Sequence, residues 1–237
     1  MAWYYSEVMS KKAGASSEQI TGIILLLMRL ALAAAALFGI VHANPSLVFA
    51  SLGTLILTYI PKLIAAQTTV RIPLQFELGI TLFLYASIFL GEADNYYEKF
   101  WWWDSVLHTG SAFAFGFAGF LVLYLLFVRN KLQASPLLVA IFSFAFGLSI
   151  GALWEIFEFC MDYFFGLNMQ KSGLRDTMGD LIVDAVGAGT ASVIGYIFLK
   201  YRVRDPFDIF VRWFLLANPR LKIRAERRKN RLHEPKS

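Results

Sequence analysis

The chain of 237 residues has one cysteine, three histidines and little charge, with Asp, Glu, Lys and Arg making up only 16% of it. A lone cysteine, Cys160, excludes an internal disulfide framework and any cysteine-based zinc site. The three histidines, His42, His108 and His233, lie far apart in sequence. They exclude a site built from several clustered imidazoles. The sequence has no phosphate-binding Walker loop and no His-Glu-x-x-His pair, and its Gly147-Leu148-Ser149-Ile150-Gly151 run lies inside an apolar segment of helical length, not at the strand-to-helix turn a nucleophile elbow requires. Serine-hydrolase, nucleotide-driven and zincin readings therefore drop out. Internal repeats, low-complexity stretches and linkers are also missing. A soluble domain carries about 25% charge, and a disordered chain needs low hydrophobicity with high net charge. Neither description fits.

What the chain has is apolar surface: 57% hydrophobic and 16% aromatic residues. A membrane helix needs about 20 mainly apolar residues. Six segments qualify: Ile20–Val41, Ser46–Gln67, Pro73–Leu90, Trp101–Val128, Pro136–Asp162 and Thr177–Leu199. Short connections with breakers separate them, Asn44-Pro45, Arg71-Ile72-Pro73 and Ser135-Pro136 among them. The first run exceeds a signal-peptide core of about 7–15 residues, so it is expected to stay as a helix. The predicted fold is all-α, a multi-pass membrane bundle of six transmembrane helices over residues 1–199. Residues 200–237 should add an interfacial amphipathic helix and a basic tail.

The net charge of +5 is a sum of unlike parts. Residues 200–237 carry twelve Lys/Arg against four Asp/Glu, a balance of +8, while residues 1–199 stand at −3. Short loops rich in Lys and Arg mark the cytoplasmic side. Lys11, Lys12, Lys62, Arg71, Arg129, Lys131 and the tail fall on one side. Lys99, Lys171 and Arg175, diluted by Glu92, Asp94, Glu98 and Asp176, fall on the other. Both termini are expected in the cytoplasm of a cell inside its cytoplasmic membrane. Trp101, Trp102 and Trp103 then fit the outer aromatic belt. Asp205-Pro206 suits a helix start, and Phe207–Ala217 reads as a helix lying at the interface. The polybasic run from Arg220 to Lys236 is suited to anionic lipid headgroups, at about 1 kcal/mol per charge. A nucleic-acid role is not expected beside a membrane domain.

Ionisable groups interrupt three of the apolar segments. The fourth has Asp104 and His108, the fifth Glu155 and Glu158 with Asp162 beyond, and the sixth Asp180 and Asp184 after Asp176. Residues three or four apart share a helical face. At about 1.5 Å per residue, His108 lies about 10 Å below Trp101, and Asp184 lies about 12 Å below Asp176. Glu155 lies about 8–10 Å below Asp162. Segments of opposite direction thus bring these groups to one level, in the outer third of the membrane. A charge at helix centre costs about 2.5–3.5 kcal/mol to insert, and clustered carboxylates repel. The groups should face each other and share protons or hold a cation. Carboxylates with one imidazole suit Mg²⁺, Mn²⁺, Fe²⁺ or Zn²⁺. The candidate metal ligands are Asp104, His108, Glu155, Glu158, Asp180 and Asp184, with Glu155 or Glu158 as catalytic base. Asp176 could simply cap its helix, and Asp162 could be a surface acid. Arg29 and Glu77 pose a separate question. They either pair with each other, or Arg29 meets an anion or headgroup.

The motifs Trp103-Asp104-Ser105-Val106-Leu107-His108, Trp154-Glu155-Ile156-Phe157-Glu158-Phe159 and Asp176-Thr177-Met178-Gly179-Asp180-Leu181-Ile182-Val183-Asp184 resemble the YjdF-like family of bacterial inner-membrane proteins. The resemblance runs over about residues 20–200. It implies a multi-helix protein of a bacterial or archaeal cell membrane, and no particular reaction.

Three functions are compatible with these features. The first is a membrane-embedded, metal-dependent enzyme open to the outer side, acting on a lipid or isoprenoid phosphate or ester. The second is a proton-coupled or metal-ion transporter, since intramembrane acids often mark ion paths. The apolar inner halves of the last three helices count against it. The third is a structural protein whose acids hydrogen-bond across the bundle.

Overall fold

The structure, a computed structural model, describes residues 2–67, 70–93, 96–128, 134–166, 168–201 and 206–219. Arg129, Lys131, Asp94, Asp205 and the basic run from Arg220 to Lys236 lie outside the described residues, and of Lys11 and Lys12 only the helical backbone is described. All regular elements among the described residues are helical. Six helices are long and apolar enough to cross a membrane: Glu18–Val41, Leu47–Gln67, Leu74–Gly91, Trp103–Leu126, Pro136–Phe165 and Leu174–Tyr201. Each answers to one of the six predicted segments. The chain forms two compact units, divided between Phe100 and Trp101.

In the first unit, α1 runs over Ala2–Val41, well ahead of the predicted start at Ile20. No proline interrupts residues 2–20 and Gly14 is their one glycine, so nothing local ends the helix there. The turn after α1 closes with Ala43 at a left-handed φ of 50°. Helix α2 (Pro45–Leu57) starts with Asn44 as its cap, whose side chain accepts from Leu47 N at 3.1 Å, and with proline in the first turn.

The predicted single helix to Gln67 is broken: α2 stops at Leu57 and α3 covers Ile60–Gln67. Pro61 explains the break, since it has no N–H and its ring clashes with the carbonyl four residues back. Lys62 N turns to Tyr59 O at 3.0 Å, which leaves the Thr58 carbonyl without its helical donor. Arg29 fills that role. Its Nη2 donates to Thr58 O at 2.9 Å and its Nε to Thr58 Oγ1 at 3.1 Å. The same Nη2 meets Glu77 Oε1 at 2.6 Å, and the guanidinium lies 4.4 Å from the Tyr59 ring centre. Of the two readings of Arg29, the ion pair with Glu77 is the one the structure contains. Helix α4 (Leu74–Leu84) continues into a π-helical stretch, Tyr85–Ala93, and α5 (Tyr96–Lys99) follows. Within the π stretch, Ser87 Oγ donates to Phe83 O at 2.9 Å, giving that carbonyl a partner outside the helical ladder.

The second unit is a bundle of α6 (Trp103–Val128), α7 (Pro136–Phe165) and α8 (Leu174–Tyr201), with α9 (Pro206–Ala217) packed on it. Ser135 caps α7 by accepting from Leu138 N, and Gly166 ends it at φ 66°. The three long helices approach closely where small residues meet. A Cβ on Gly147 of α7 would stand 2.7 Å from Ala112 O of α6 and 2.9 Å from Ala188 Cβ of α8. Hydroxyls bridge the same helices: Ser143 Oγ donates to Gly116 O and Ser192 Oγ to Ala140 O, both at 2.7 Å. Below this level the interior is apolar, with Phe117, Phe120, Leu123, Ala188 and Ala191 buried. Leu153, Ile156, Ile182, Val186 and Val193 point outward and are exposed, as lipid-facing residues should be. Helix α9 buries Val211 and Phe214 and sets the Phe210 ring 5.4 Å from that of Phe117, while Ile209 and Leu216 stay exposed. The predicted interfacial helix therefore has one face on the bundle and one off it that carries Ile209, Arg212 and Leu216.

Candidate functional site

The polar level of the second unit is built around His108. Its helix, α6, opens at Trp103, so the imidazole sits about 7 Å along the axis from that end. Asp104, one turn earlier on the same face, reaches His108 Nε2 with Oδ1 at 3.8 Å. Glu155 comes from α7, its Oε1 also 3.8 Å from Nε2. On the other side of the ring, α8 supplies Asp184, with Oδ1 at 3.3 Å and Oδ2 at 3.4 Å from Nδ1. Asp180 lies one turn nearer the start of α8. One ligand atom each from Asp104, His108 and Asp180 can be chosen so that all lie within 4.8 Å of one another.

Burial is uneven across the group. His108, Glu155, Glu158, Asp180 and Asp184 are buried, Asp184 completely, whereas the Asp104 side chain keeps 25% of its surface exposed. Asp104 therefore forms the open edge. Neither oxygen of Glu155 has a hydrogen-bond partner at good geometry, Thr177 being its nearest hydroxyl, and Asp184 Oδ1 lacks one as well. A buried polar group without a partner is costly, and a buried carboxylate more so. Ionised carboxylates at this spacing repel, and shared protons or a divalent cation would offset that. An imidazole nitrogen with several carboxylate oxygens is a donor set that fits Mg²⁺, Mn²⁺, Fe²⁺ or Zn²⁺.

Of the six residues singled out from the sequence, five converge directly. Asp104, His108, Glu155 and Asp184 are in contact, and Asp180 completes the close triad with Asp104 and His108. Glu158 stands apart: its Oε1 accepts from Trp154 Nε1 on its own helix at 2.8 Å. Asp162 lies in the last turn of α7, where its two oxygens accept from Met169 N and Gln170 N of the following connection at 2.7 and 2.8 Å. Asp176 lies in the first turn of α8, where a carboxylate complements the helix dipole. Two further participants, one in a motif and one expected only as a packing glycine, were given no role in the site by the sequence. Trp154 is the donor to Glu158, signalled only by the four-residue spacing. Gly151, one turn before Glu155, gives Asp184 its space, since a Cβ there would overlap Asp184 Oδ2.

Comparison with known proteins places this geometry in a family. A family model described as "Predicted membrane protein (DUF2238)" matches residues 23–201, which include every residue of the cluster. It covers the same part of the chain as the resemblance carried by the three motifs and is compatible with it. An uncharacterised protein of Thermotoga maritima is 29% identical over 126 residues, 53% of this chain and 64% of that protein. The chain thus spans less than two thirds of that relative's length. No solved structure matches. On the extent of the family match, the chain belongs to the predicted membrane protein family DUF2238.

Proposed function

We propose that the protein is a divalent-metal-dependent enzyme of the cytoplasmic membrane that acts on a lipid-like substrate, an ester or a phosphate, from the outer side. The observation that carries this reading is the Asp104–His108–Asp180 triad with the Glu155 carboxylate, poorly satisfied in hydrogen bonding, against the same imidazole. Asp104, His108 and Asp180 would hold the ion. When bound, it would supply Lewis-acid polarisation of a substrate oxygen and an activated water. Glu155, with neither oxygen in a well-formed hydrogen bond, is placed to take a proton as general base. Glu158, steadied by Trp154, is the next carboxylate along α7 toward the outer end and can pass that proton on. On its motifs the chain is grouped with the YjdF-like proteins.

The lipid-like substrate follows from depth and surroundings. The cluster lies within two turns of the α6 start. Exposed Leu153, Trp154 and Phe157 on α7 offer an apolar approach beside it. The apolar floor formed by Phe117, Phe120 and Leu123 disfavours an ion path through this unit. In this reading both termini are cytoplasmic, and the basic tail rests on anionic headgroups.

Metal analysis of the purified protein tests the proposal. After incubation with Mg²⁺, Mn²⁺, Fe²⁺ or Zn²⁺ and removal of excess, wild type should retain one ion per chain, whereas His108→Ala and Asp180→Asn should retain none. A folded wild type that retains no ion from the series overturns the reading.

A further inference from the structure

We propose that Asp184 is a positioning residue and not an ion ligand: it fixes the His108 ring through Nδ1, and Gly151 is the gap in α7 that admits it. The inference rests on the metal reading above and assigns a role within it.

The two nitrogens of His108 face different company. Asp184 is the carboxylate within 4 Å of Nδ1, at 3.3 and 3.4 Å. Asp104 and Glu155 both approach Nε2, each at 3.8 Å. An imidazole that binds an ion through one nitrogen almost always gives the proton on the other to a carboxylate, a carbonyl or water, and that contact fixes the ring and raises its basicity. With Asp184 accepting from Nδ1–H, the Nε2 lone pair points to the side where Asp104 and Glu155 stand. Asp184 also has the placement of a support. Its exposure is zero, while Asp104 on the Nε2 side is partly open. A buried carboxylate at this depth needs room between tightly packed helices, and Gly151 supplies it. A Cβ on Gly151 would overlap Asp184 Oδ2 and stand 2.7 Å from its Cγ. Ring, carboxylate and gap come from α6, α8 and α7, so all three helices must be in register for the imidazole to be held.

Titration of the detergent-purified full chain with Mn²⁺, and in a second series Zn²⁺, tests this. Asp184→Asn keeps the shape and weakens the acceptor. It should still bind one ion per chain at saturation, with an affinity lowered about 10–100-fold. Gly151→Ala touches no ligand and should lower affinity in the same direction. In an Asp184→Ala background, Gly151→Ala should cost nothing further, because the atoms it would overlap are gone. Loss of stoichiometry in Asp184→Asn, as in Asp180→Asn, makes Asp184 a ligand and overturns the proposal. Unchanged affinity in Asp184→Asn overturns it too. So does an equal Gly151→Ala penalty in both backgrounds. If instead wild type binds neither ion, or His108→Ala binds like wild type, the metal reading itself fails and takes this inference with it. Asp184→Asn decides the matter even where Gly151→Ala does not fold.

Discussion

Glu155 brings a carboxylate to within 3.8 Å of His108 Nε2 with neither oxygen in a well-formed hydrogen bond. For stability alone this is a poor arrangement, since a buried carboxylate without a well-formed hydrogen bond is costly. Replacing it by an uncharged isostere separates use from cost. Glu155→Gln should melt at the same temperature as the ion-free wild type or higher, measured by thermal unfolding in detergent. Turnover of a lipid ester or phosphate should fall about 10²–10⁴-fold, as for removal of a general base. A Glu155→Gln protein that keeps full turnover would remove Glu155 from the chemistry. The residue scale is also where sequence reading goes furthest and then stops. Spacings of three and four residues put Asp104 with His108, and Asp180 with Asp184, on shared faces. They carry no information on which ring nitrogen each acid meets, because that depends on the rotation of α7 and α8 about their own axes. Glu158 shows the difference: its spacing matches the others, yet Trp154 holds it.

At the scale of elements, the break between α2 and α3 depends on Arg29. The guanidinium meets the Thr58 carbonyl, left without a helical donor where Lys62 N turns to Tyr59 O beside Pro61, and Glu77 neutralises it at 2.6 Å. Both side chains are nearly buried, at 10% and 7% exposure. Removing one partner of a buried pair costs about 3–5 kcal/mol, and without Arg29 the remaining cation at Glu77 is the exposed Lys62 amine at 4.0 Å. Arg29→Met should therefore destabilise the first unit by about that amount, read as a loss of unfolding temperature. Arg29→Met with Glu77→Leu should recover most of it. If the double variant is no more stable than the single, the pair is not what holds the break. All six spans were legible from apolar run length, and the starts of α2 and α7 from Asn44-Pro45 and Ser135-Pro136. The break after Leu57 was not. Pro61 was visible, but the group that satisfies the freed carbonyl lies 29 residues away in sequence. The π-helical stretch from Tyr85 likewise has no period that an apolar run of leucine, isoleucine and phenylalanine would reveal.

Across the whole molecule the charge pattern is a statement about sidedness. A tail of balance +8 beside a body of −3 predicts that a reporter fused after Ser237 is active in the cytoplasm. One placed in the connection between α7 and α8 should be active outside. The opposite pair of results would turn the proposed site to the cytoplasmic face. Bound ion should also stabilise the protein as a whole: at a concentration 100 times its Kd, a ligand specific for the folded state adds about 2.7 kcal/mol. If His108 and the acids around it hold a divalent ion, X-ray absorption of the ion-loaded protein reads those ligands themselves. The spectrum should contain one imidazole nitrogen among oxygen ligands at about 2.0–2.2 Å, with the imidazole signal lost in His108→Ala. A bound ion whose spectrum contains no imidazole, or is the same in His108→Ala, would contradict that ligand set.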